Sequence, residues 1–154
     1  MKRILALILC ITTLLLSLAS CKKKIAEEGD VTVAIEVEDG EYEVYMTYLE
    51  NVENKNNGAL GVLENLRDRE SNPLHVVYSK SSYGAFVTEI GPLKQNDSAG
   101  EYVMIYTSVE TDSYADAPTV TYGEALLFAS GIGISMMTVN AGTVILFRLE
   151  KYAG

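Results

Sequence analysis

Hydrophobic and polar positions alternate with a period of two at the start of the domain. Between residues 31 and 38, one face of the run carries Val31, Val33, Ile35 and Val37. Between residues 41 and 48, one face carries Tyr42, Val44, Met46 and Tyr48. An Asp-Gly pair, Asp39-Gly40, separates the two runs. Alternating runs joined by Asp-Gly are typical of a β-hairpin, so we predict two antiparallel strands here.

A change to helical spacing follows in residues 58–69. The apolar positions of this segment, spaced i, i+3, i+4 and i+7, are Ala59, Val62, Leu63 and Leu66. That spacing places them on one face of an α-helix. Asn57 can cap the start of the helix, and Ser71-Asn72-Pro73 ends it.

Further apolar runs predict strands in the rest of the chain. They cover residues 74–79, 85–90, 101–107, 119–129, 132–139 and 143–150. The runs 85–90 and 101–107 flank a polar loop and could pair with each other. The runs 101–107 and 143–150 are apolar on both faces, which is typical of strands covered on both sides. We therefore place the last run at the centre of the sheet.

The order of these elements predicts the fold class. One hairpin, one helix and a series of strands give an α+β protein. The segment 31–152 is long enough for one hydrophobic core and too short for two. We expect one domain over residues 31–152, with a mostly antiparallel sheet and one helix packed across it.

The amino-terminal residues have the features of a lipoprotein signal peptide. Lys2 and Arg3 precede an apolar run that ends in Leu18-Ala19-Ser20-Cys21. Small residues before a cleavage point are what a signal peptidase requires. The last four residues are similar to the lipobox of bacterial lipoproteins, in which the cysteine becomes the lipidated first residue. The alternative, a membrane-spanning helix, needs about 20 apolar residues and this run is shorter.

These features predict three segments and a location. Residues 1–20 form the signal peptide, residues 21–30 a lipidated tether, and residues 31–152 the folded domain. The other cysteine of the chain, Cys10, lies in the signal peptide that we expect to be removed. We therefore expect a membrane-anchored bacterial lipoprotein outside the cytoplasm, with no thiol left for a disulfide or a nucleophile.

The net charge of the chain limits the classes of partner that it can bind. The chain has a formal net charge of −9, from 12 basic and 21 acidic residues. Removal of Lys2 and Arg3 leaves 10 basic and 21 acidic residues, a net charge of −11. Nucleic-acid binding depends on lysine and arginine at phosphates, so this balance argues against a nucleic-acid partner.

Candidate catalytic and metal-binding residues are few. His75 is the only histidine, and a catalytic base also needs a nucleophile and an orienting group. Glu110, Asp112 and Asp116 could together bind Ca²⁺ through oxygen, but their spacing does not fit an EF-hand. We interpret His75 as structural and the acidic residues as a solvated loop. We expect neither an enzyme nor a required cofactor or metal.

Two blocks of sequence resemble a known family. The first contains Tyr83-Gly84, Val87, Ile90, Gly100-Glu101-Tyr102 and Met104-Ile105-Tyr106. The second contains Tyr122-Gly123, Gly133-Ile134-Ser135-Met136, Val139 and Gly142-Thr143-Val144-Ile145. Together they resemble the bacterial DUF4430 family, which is related to the C-terminal β-domain of transcobalamin and intrinsic factor. The family often has a tryptophan where this chain has Val103, and an asparagine near Thr107 or Ser108.

The resemblance implies a fold and a ligand class. It implies a β-grasp-like sheet, and it makes cobalamin or a related corrinoid a candidate ligand. Tyr83, Gly84, Tyr102 and Tyr106 lie in the matched motifs and are our candidate ligand-binding residues. A tyrosine can bury its ring and keep its hydroxyl in water, which suits a binding face. For Tyr102 and Tyr106 we favour packing in the sheet over ligand contact. Tyr83 precedes a turn, so we expect it to be exposed and predict that it marks the binding face, with the loop 97–100 nearby.

Two functions from different classes remain open. The first is a lipid-anchored extracytoplasmic binding module for a small molecule such as a corrinoid. The second is a structural or adhesive domain of the cell surface that binds another protein, for example through a strand edge.

Lipidation at Cys21 gives the first testable prediction. Two or more acyl chains hold a protein stably at a bilayer, because each buried CH₂ contributes about 0.8 kcal/mol. Cys21→Ser should therefore release the protein from membranes or block its maturation, as measured by fractionation and by its processed length. A processed Cys21→Ser protein that still fractionates with membranes would contradict the assignment.

Overall fold

The computed structural model describes residues 28–151. It contains one α-helix, α1 (Gly58–Asp68), and nine strands. The strands are β1 (Val31–Glu38), β2 (Glu41–Thr47), β3 (Val76–Ser81), β4 (Gly84–Ile90), β5 (Leu93–Lys94), β6 (Glu101–Thr107), β7 (Thr119–Tyr122), β8 (Ala125–Ala129) and β9 (Val144–Lys151). The expected signal peptide, Cys21 and most of the tether lie outside the described residues. Within residues 28–151, no helix has the length and hydropathy needed to cross a membrane.

The strands form two sheets. The larger sheet has the order β2-β1-β9-β6-β8-β7, and the smaller has the order β3-β4-β5. All the neighbouring pairs are antiparallel except β1 and β9, which run in parallel at the centre of the larger sheet. The chain is therefore a mostly β, α+β protein with one helix, and the predicted central position of the last strand is confirmed.

The main hydrophobic core lies on one face of the larger sheet. Helix α1 and the smaller sheet cover this face, and the predicted helical stripe is buried in it at every position. From the larger sheet, this core receives Val31, Val33, Ile35, Tyr45, Val103, Ile145 and Phe147. Burial of these side chains removes apolar surface from water, which is the dominant favourable term in folding. We call this side of the larger sheet the helix face.

The start of α1 differs from the prediction. Asn57 is the N-cap residue, but its side chain makes no capping hydrogen bond. Gly58 follows with φ +54, and a Cβ at this position would overlap the carbonyl oxygen of Met137. The close approach of the loop that contains Met137, rather than a side-chain cap, therefore determines which residue can begin the helix.

The predicted pairing of runs 85–90 and 101–107 is wrong. Strand β4 pairs with β3 and β5, whereas β6 pairs with β8 and β9. After β4 the chain turns back on itself, and the backbone N–H of Gln95 donates to the carbonyl of Thr88 over 2.9 Å. A 3₁₀ turn at Asp97–Ala99 then ends at Gly100 in the left-handed conformation and directs β6 into the other sheet.

Two later strand predictions also need correction. Residues 119–129 form the two strands β7 and β8, because Gly123 has φ +58 and makes a turn between them. Residues 132–139 form no strand but contain a 3₁₀ turn, Ile134–Met136. Ile134 and Met137 are both buried in the main core. Their spacing of three matches this turn and not the period of a strand.

The larger sheet is curled so that its two edges approach each other. Tyr42 on edge strand β2 and Tyr122 on edge strand β7 have ring centroids 4.9 Å apart, in an edge-to-face arrangement. A second, smaller core lies on this side, around Ala34, Tyr106, Leu127, Ala129 and Leu146. On β2, it is Tyr45 and Thr47 that are buried, whereas the predicted apolar face of that strand lies on the side away from the helix and is half-buried or exposed.

The central position of β9 can be tested by truncation. Phe147 is fully buried on the helix face, so Phe147→Ala should lower the free energy of unfolding by about 3–5 kcal/mol. Leu126→Ala, at a side chain that is 51% exposed, is the matched control and should change it by less than about 0.5 kcal/mol. Denaturant unfolding measures both, and similar losses for the two variants would contradict the assigned core.

Candidate functional site

The structure places the four predicted ligand-binding residues on two separate surfaces. Tyr83 and Gly84 lie at the turn between β3 and β4, in the smaller sheet. Tyr102 and Tyr106 lie on β6, in the larger sheet. Tyr83 is 77% exposed and Tyr106 is 2% exposed. The loop 97–100 begins beside Thr88, five residues along β4 from Tyr83, which corresponds to about 16 Å.

Four tyrosines lie on the concave side of the curled sheet. We call this side the tyrosine face and define it by Tyr42, Tyr102, Tyr106 and Tyr122. Tyr106 is packed in the smaller core, and the other three are half-buried. Tyrosine rings bury a large apolar surface while their hydroxyls make polar contacts. The face can therefore contact the apolar part of a ligand and its polar edge together.

A row of cross-strand neighbours runs through this face. Tyr42 on β2 pairs with Glu36 on β1, and Met104 on β6 pairs with Arg148 on β9. Arg148 Nε lies 3.1 Å from Glu36 Oε2, which joins the two halves of the row. An aromatic ring, a carboxylate, a guanidinium and a thioether are thus side by side on four adjacent strands.

Arg148 is the charged centre of the tyrosine face. Its Nε is also 3.4 Å from Glu150 Oε1, and the hydroxyl of Tyr106 donates to the same oxygen over 2.6 Å. The Nε atom is buried, but its N–H makes no aligned hydrogen bond to either carboxylate. We interpret both contacts as ion pairs without good hydrogen-bond geometry. A buried donor without a hydrogen bond is uncommon in folded proteins, so this atom marks the face as a candidate site.

Two phenols of this face, those of Tyr42 and Tyr122, have raised pKa values. Burial, followed by the nearby carboxylate of Glu36, raises the pKa of Tyr42 above its ordinary value. Burial also raises the pKa of Tyr122. Both hydroxyls therefore remain protonated at neutral pH, and each can donate as well as accept a hydrogen bond.

Sequence reasoning missed three members of this face: Tyr42, Tyr122 and Arg148. The run 143–150 is apolar on both faces, and its alternation also places Leu146, Arg148 and Glu150 on one side. This alternation is the sequence signal that places Arg148 on the opposite side of the strand from Phe147. The meeting of Tyr42 with Tyr122 depends on the curl of the sheet, which no local pattern contains.

A second surface is formed by three loops around Tyr83. We call it the loop surface and define it by the exposed side chains Tyr83, Tyr114, Ile132 and Met136. The segment that contains Gly133 packs against the β3–β4 turn so closely that a Cβ at Gly133 would lie 2.6 Å from the Tyr83 carbonyl oxygen. A Cβ at Gly131 would lie 3.4 Å from the Cβ of Tyr114.

Hydrogen bonds hold these loops in place. Ser135 Oγ accepts from the backbone N–H of Ala85 over 3.0 Å. The buried Asp112 carboxylate accepts from the backbone N–H of Thr138 over 2.6 Å and from its hydroxyl over 3.0 Å. The Asp112 carboxylate therefore connects the loop after β6 to the loop after β8. Among residues 28–151, no group of three or more His, Cys, Asp or Glu side chains is arranged to hold a metal ion.

A cavity of about 230 Å³ opens beside α1. Its lining includes Glu53, Glu64, Asn65 and Asp68. Three of these groups already have partners within the protein. The Tyr78 hydroxyl donates to Glu64 over 2.9 Å, the Asn65 amide donates to the Asn51 carbonyl over 3.0 Å, and Arg67 donates to Asp68 over 2.7 Å. The named lining of this cavity has no aromatic side chain, whereas the tyrosine face has both aromatic and charged groups. We therefore treat the tyrosine face as the principal candidate site.

Comparisons with known proteins bear on the fold. No protein-family model matches the chain, and no curated protein matches its sequence. The chain is similar in structure to a "putative metal binding protein" from Ruminococcus gnavus ATCC 29149, with a TM-score of 0.53 and 17% sequence identity. The match covers 82% of this chain and all of that protein's chain. At this level of identity, the similarity shows a related fold.

Alkaline titration tests the environment of the tyrosine face. Because the pKa values of Tyr42 and Tyr122 are raised in the folded protein, the unfolded chain loses these protons first as pH rises. Their contribution to stability is fully present below the unfolded value of 10.0 and is lost as pH rises above it. Tyr42→Phe with Tyr122→Phe should make the decline of stability above pH 10 less steep than in the parent.

Denaturant unfolding between pH 8 and pH 11, about two units below and one above the phenol value, measures this decline. Tyr83→Phe is the matched control, because it removes the hydroxyl of an exposed ring. The same alkaline decline in the double variant and the parent would contradict the burial of these phenols.

Proposed function

We propose that this chain is a lipid-anchored extracytoplasmic binding domain whose ligand binds on the tyrosine face. The anchor rests on Cys21 and the lipobox-like sequence before it. The binding role rests on one observation: three half-buried tyrosine rings share the concave side of the sheet with an arginine whose Nε is buried and makes no hydrogen bond. Ligand sites commonly combine apolar and aromatic walls with a few convergent polar groups.

A β-grasp-like arrangement is part of this proposal. The first hairpin, the helix that covers one face and the parallel pairing of the first strand with the last support it. In this arrangement α1 covers one side of the larger sheet, and the curled edges of the sheet bound the opposite side. The tyrosine face is on that side, so a ligand can reach it without displacing α1.

The chemistry of the face favours a flat ligand with a polar rim. Tyr42 and Tyr122 offer ring surface, and Tyr102 lies opposite Glu150 in the sheet register. Arg148, Glu36 and Glu150 can exchange hydrogen bonds with polar groups at the edge of such a molecule. A corrinoid, which the DUF4430 resemblance suggests, has this combination of a flat ring and amide side chains. It is the small molecule that we propose to test first.

A surface domain that binds another protein is the second candidate. The observation that favours it is the position of β3 at the edge of the smaller sheet, with Val77 exposed on that strand. An edge strand offers backbone N–H and C=O groups to an extended segment of a partner. Lys80 lies on the same strand, and edge lysines commonly limit such pairing.

A titration of the purified protein with cobalamin tests the first candidate. Tyr102→Ala removes a half-buried ring from the tyrosine face, so it should weaken binding about tenfold, since truncating an aromatic contact at a binding hot spot costs about 1–2 kcal/mol. Tyr106→Ala should mainly lower the melting temperature, because Tyr106 is buried and donates to Glu150.

Tyr83→Ala is the matched control and should leave both the affinity and the melting temperature unchanged. Calorimetry and thermal unfolding measure the three variants. The corrinoid proposal fails if the parent protein does not bind cobalamin. If Tyr83→Ala weakens binding while Tyr102→Ala does not, the ligand site lies on the loop surface instead.

A further inference from the structure

The loop surface lies at the end of the molecule where the chain enters the domain. Asp30 precedes β1, and its carbonyl accepts from the backbone N–H of Gly142, just before β9. Since β1 and β9 are parallel, both strands begin at this end. Strand β6 finishes there, because Thr107 pairs with Ile145. We call this the entry end.

The three loops that form the loop surface belong to the entry end. The first follows β6, and the second follows β8, where Ser130 donates from its backbone N–H to Ile105 over 2.8 Å. The third, the β3–β4 turn, is tied to the second through Ser135 and Ala85. The exposed apolar side chains are therefore on the side from which the tether leaves.

The entry point is fixed to the domain. Asp30 donates from its backbone N–H to Thr47 over 3.2 Å, and its carboxylate accepts from the backbone N–H of Leu49 over 2.6 Å. Cys21 lies nine positions before Asp30, so the anchored cysteine can be at most about 30 Å from this point. Any lipid on Cys21 therefore keeps the entry end close to the bilayer.

The exposed side chains fit the boundary between lipid headgroups and acyl chains. Tyr83 is 77% exposed, Met136 is 62% exposed, and Tyr114 and Ile132 lie on the neighbouring loops. Tyrosine is enriched at membrane interfaces, because its ring is apolar and its hydroxyl stays in water. Methionine and isoleucine gain from burial in the acyl region. Contact with the bilayer would remove this exposed apolar surface from water.

We propose that the loop surface rests on the lipid bilayer that holds the anchor. This proposal depends on the proposed lipidation, but it assigns a different surface from the ligand site. The apolar contact orients the domain, so that the tyrosine face points to the side of the tether axis and remains accessible to a ligand. The occupant is the lipid surface itself, and a free small molecule or a protein at these loops is an alternative outcome of the test.

The charged residues near the loop surface predict how the membrane contact should depend on anionic lipid. Glu110 and Asp116 are exposed near Tyr114 and disfavour anionic headgroups. Lys22, Lys23 and Lys24 of the tether would favour them. If the loops make the contact, it should weaken as anionic lipid is added to the vesicle, whereas contact driven by the lysines should strengthen.

The chain has no tryptophan, so a single introduced indole reports its own position. The lipidated full-length protein is incorporated into phosphatidylcholine vesicles with brominated acyl chains, which quench tryptophan at short range. Tyr83→Trp and Met136→Trp should lose fluorescence relative to vesicles without bromine. Leu149→Trp is the matched control, because Leu149 is exposed near the opposite end of β9 and should not be quenched.

A further variant tests the native side chains rather than the introduced indole. Quenching in Tyr114→Trp should fall when Tyr83→Ser and Met136→Ser are added, and it should fall when phosphatidylglycerol replaces part of the phosphatidylcholine. Equal quenching at positions 83 and 149, no quenching at either, or stronger quenching with anionic lipid overturns the proposal. Failure of the protein to fractionate with the vesicles would refute the anchor itself, which separates the two failures.

Discussion

The parallel pairing of β1 with β9 is the constraint on which the rest of the structure depends. Four consecutive pairs, from Thr32 with Val144 to Ile35 with Phe147, fix the register of these strands. Because side chains alternate, this register sends Phe147 to the helix face and Arg148 to the tyrosine face. A shift by one residue would exchange the two sets, so both cores and the candidate site depend on one alignment.

The curl of the larger sheet gives its two sides different properties. The helix face is closed by α1 and by the smaller sheet, and it contains the larger core. The other side is closed only where edge strands β2 and β7 meet through Tyr42 and Tyr122. A charged group such as Arg148 is tolerated there because it reaches water and pairs with Glu36 and Glu150.

Local patterns in the sequence predicted most elements but not their arrangement. The alternation around Asp39-Gly40 gave the hairpin, and the spacing of Leu63 and Leu66 gave the helix, because both signals arise within a few residues. The partners of β6 depended instead on the turn that ends at Gly100. The tyrosine face depended on long-range curvature, so Tyr106 was predicted as a candidate without Arg148, its neighbour through Glu150.

The parallel central strands also determine how the domain would respond to mechanical force. A pull applied to the chain before Val31 acts on the beginning of β1, whereas a load held near Lys151 acts on the far end of β9. Such a pull acts along both strands and would slide one past the other. The hydrogen bonds between them would then have to break together rather than in sequence, as they would in a hairpin opened from its end. The parallel pairing of β1 with β9 therefore makes the domain resist extension between its first and last strands.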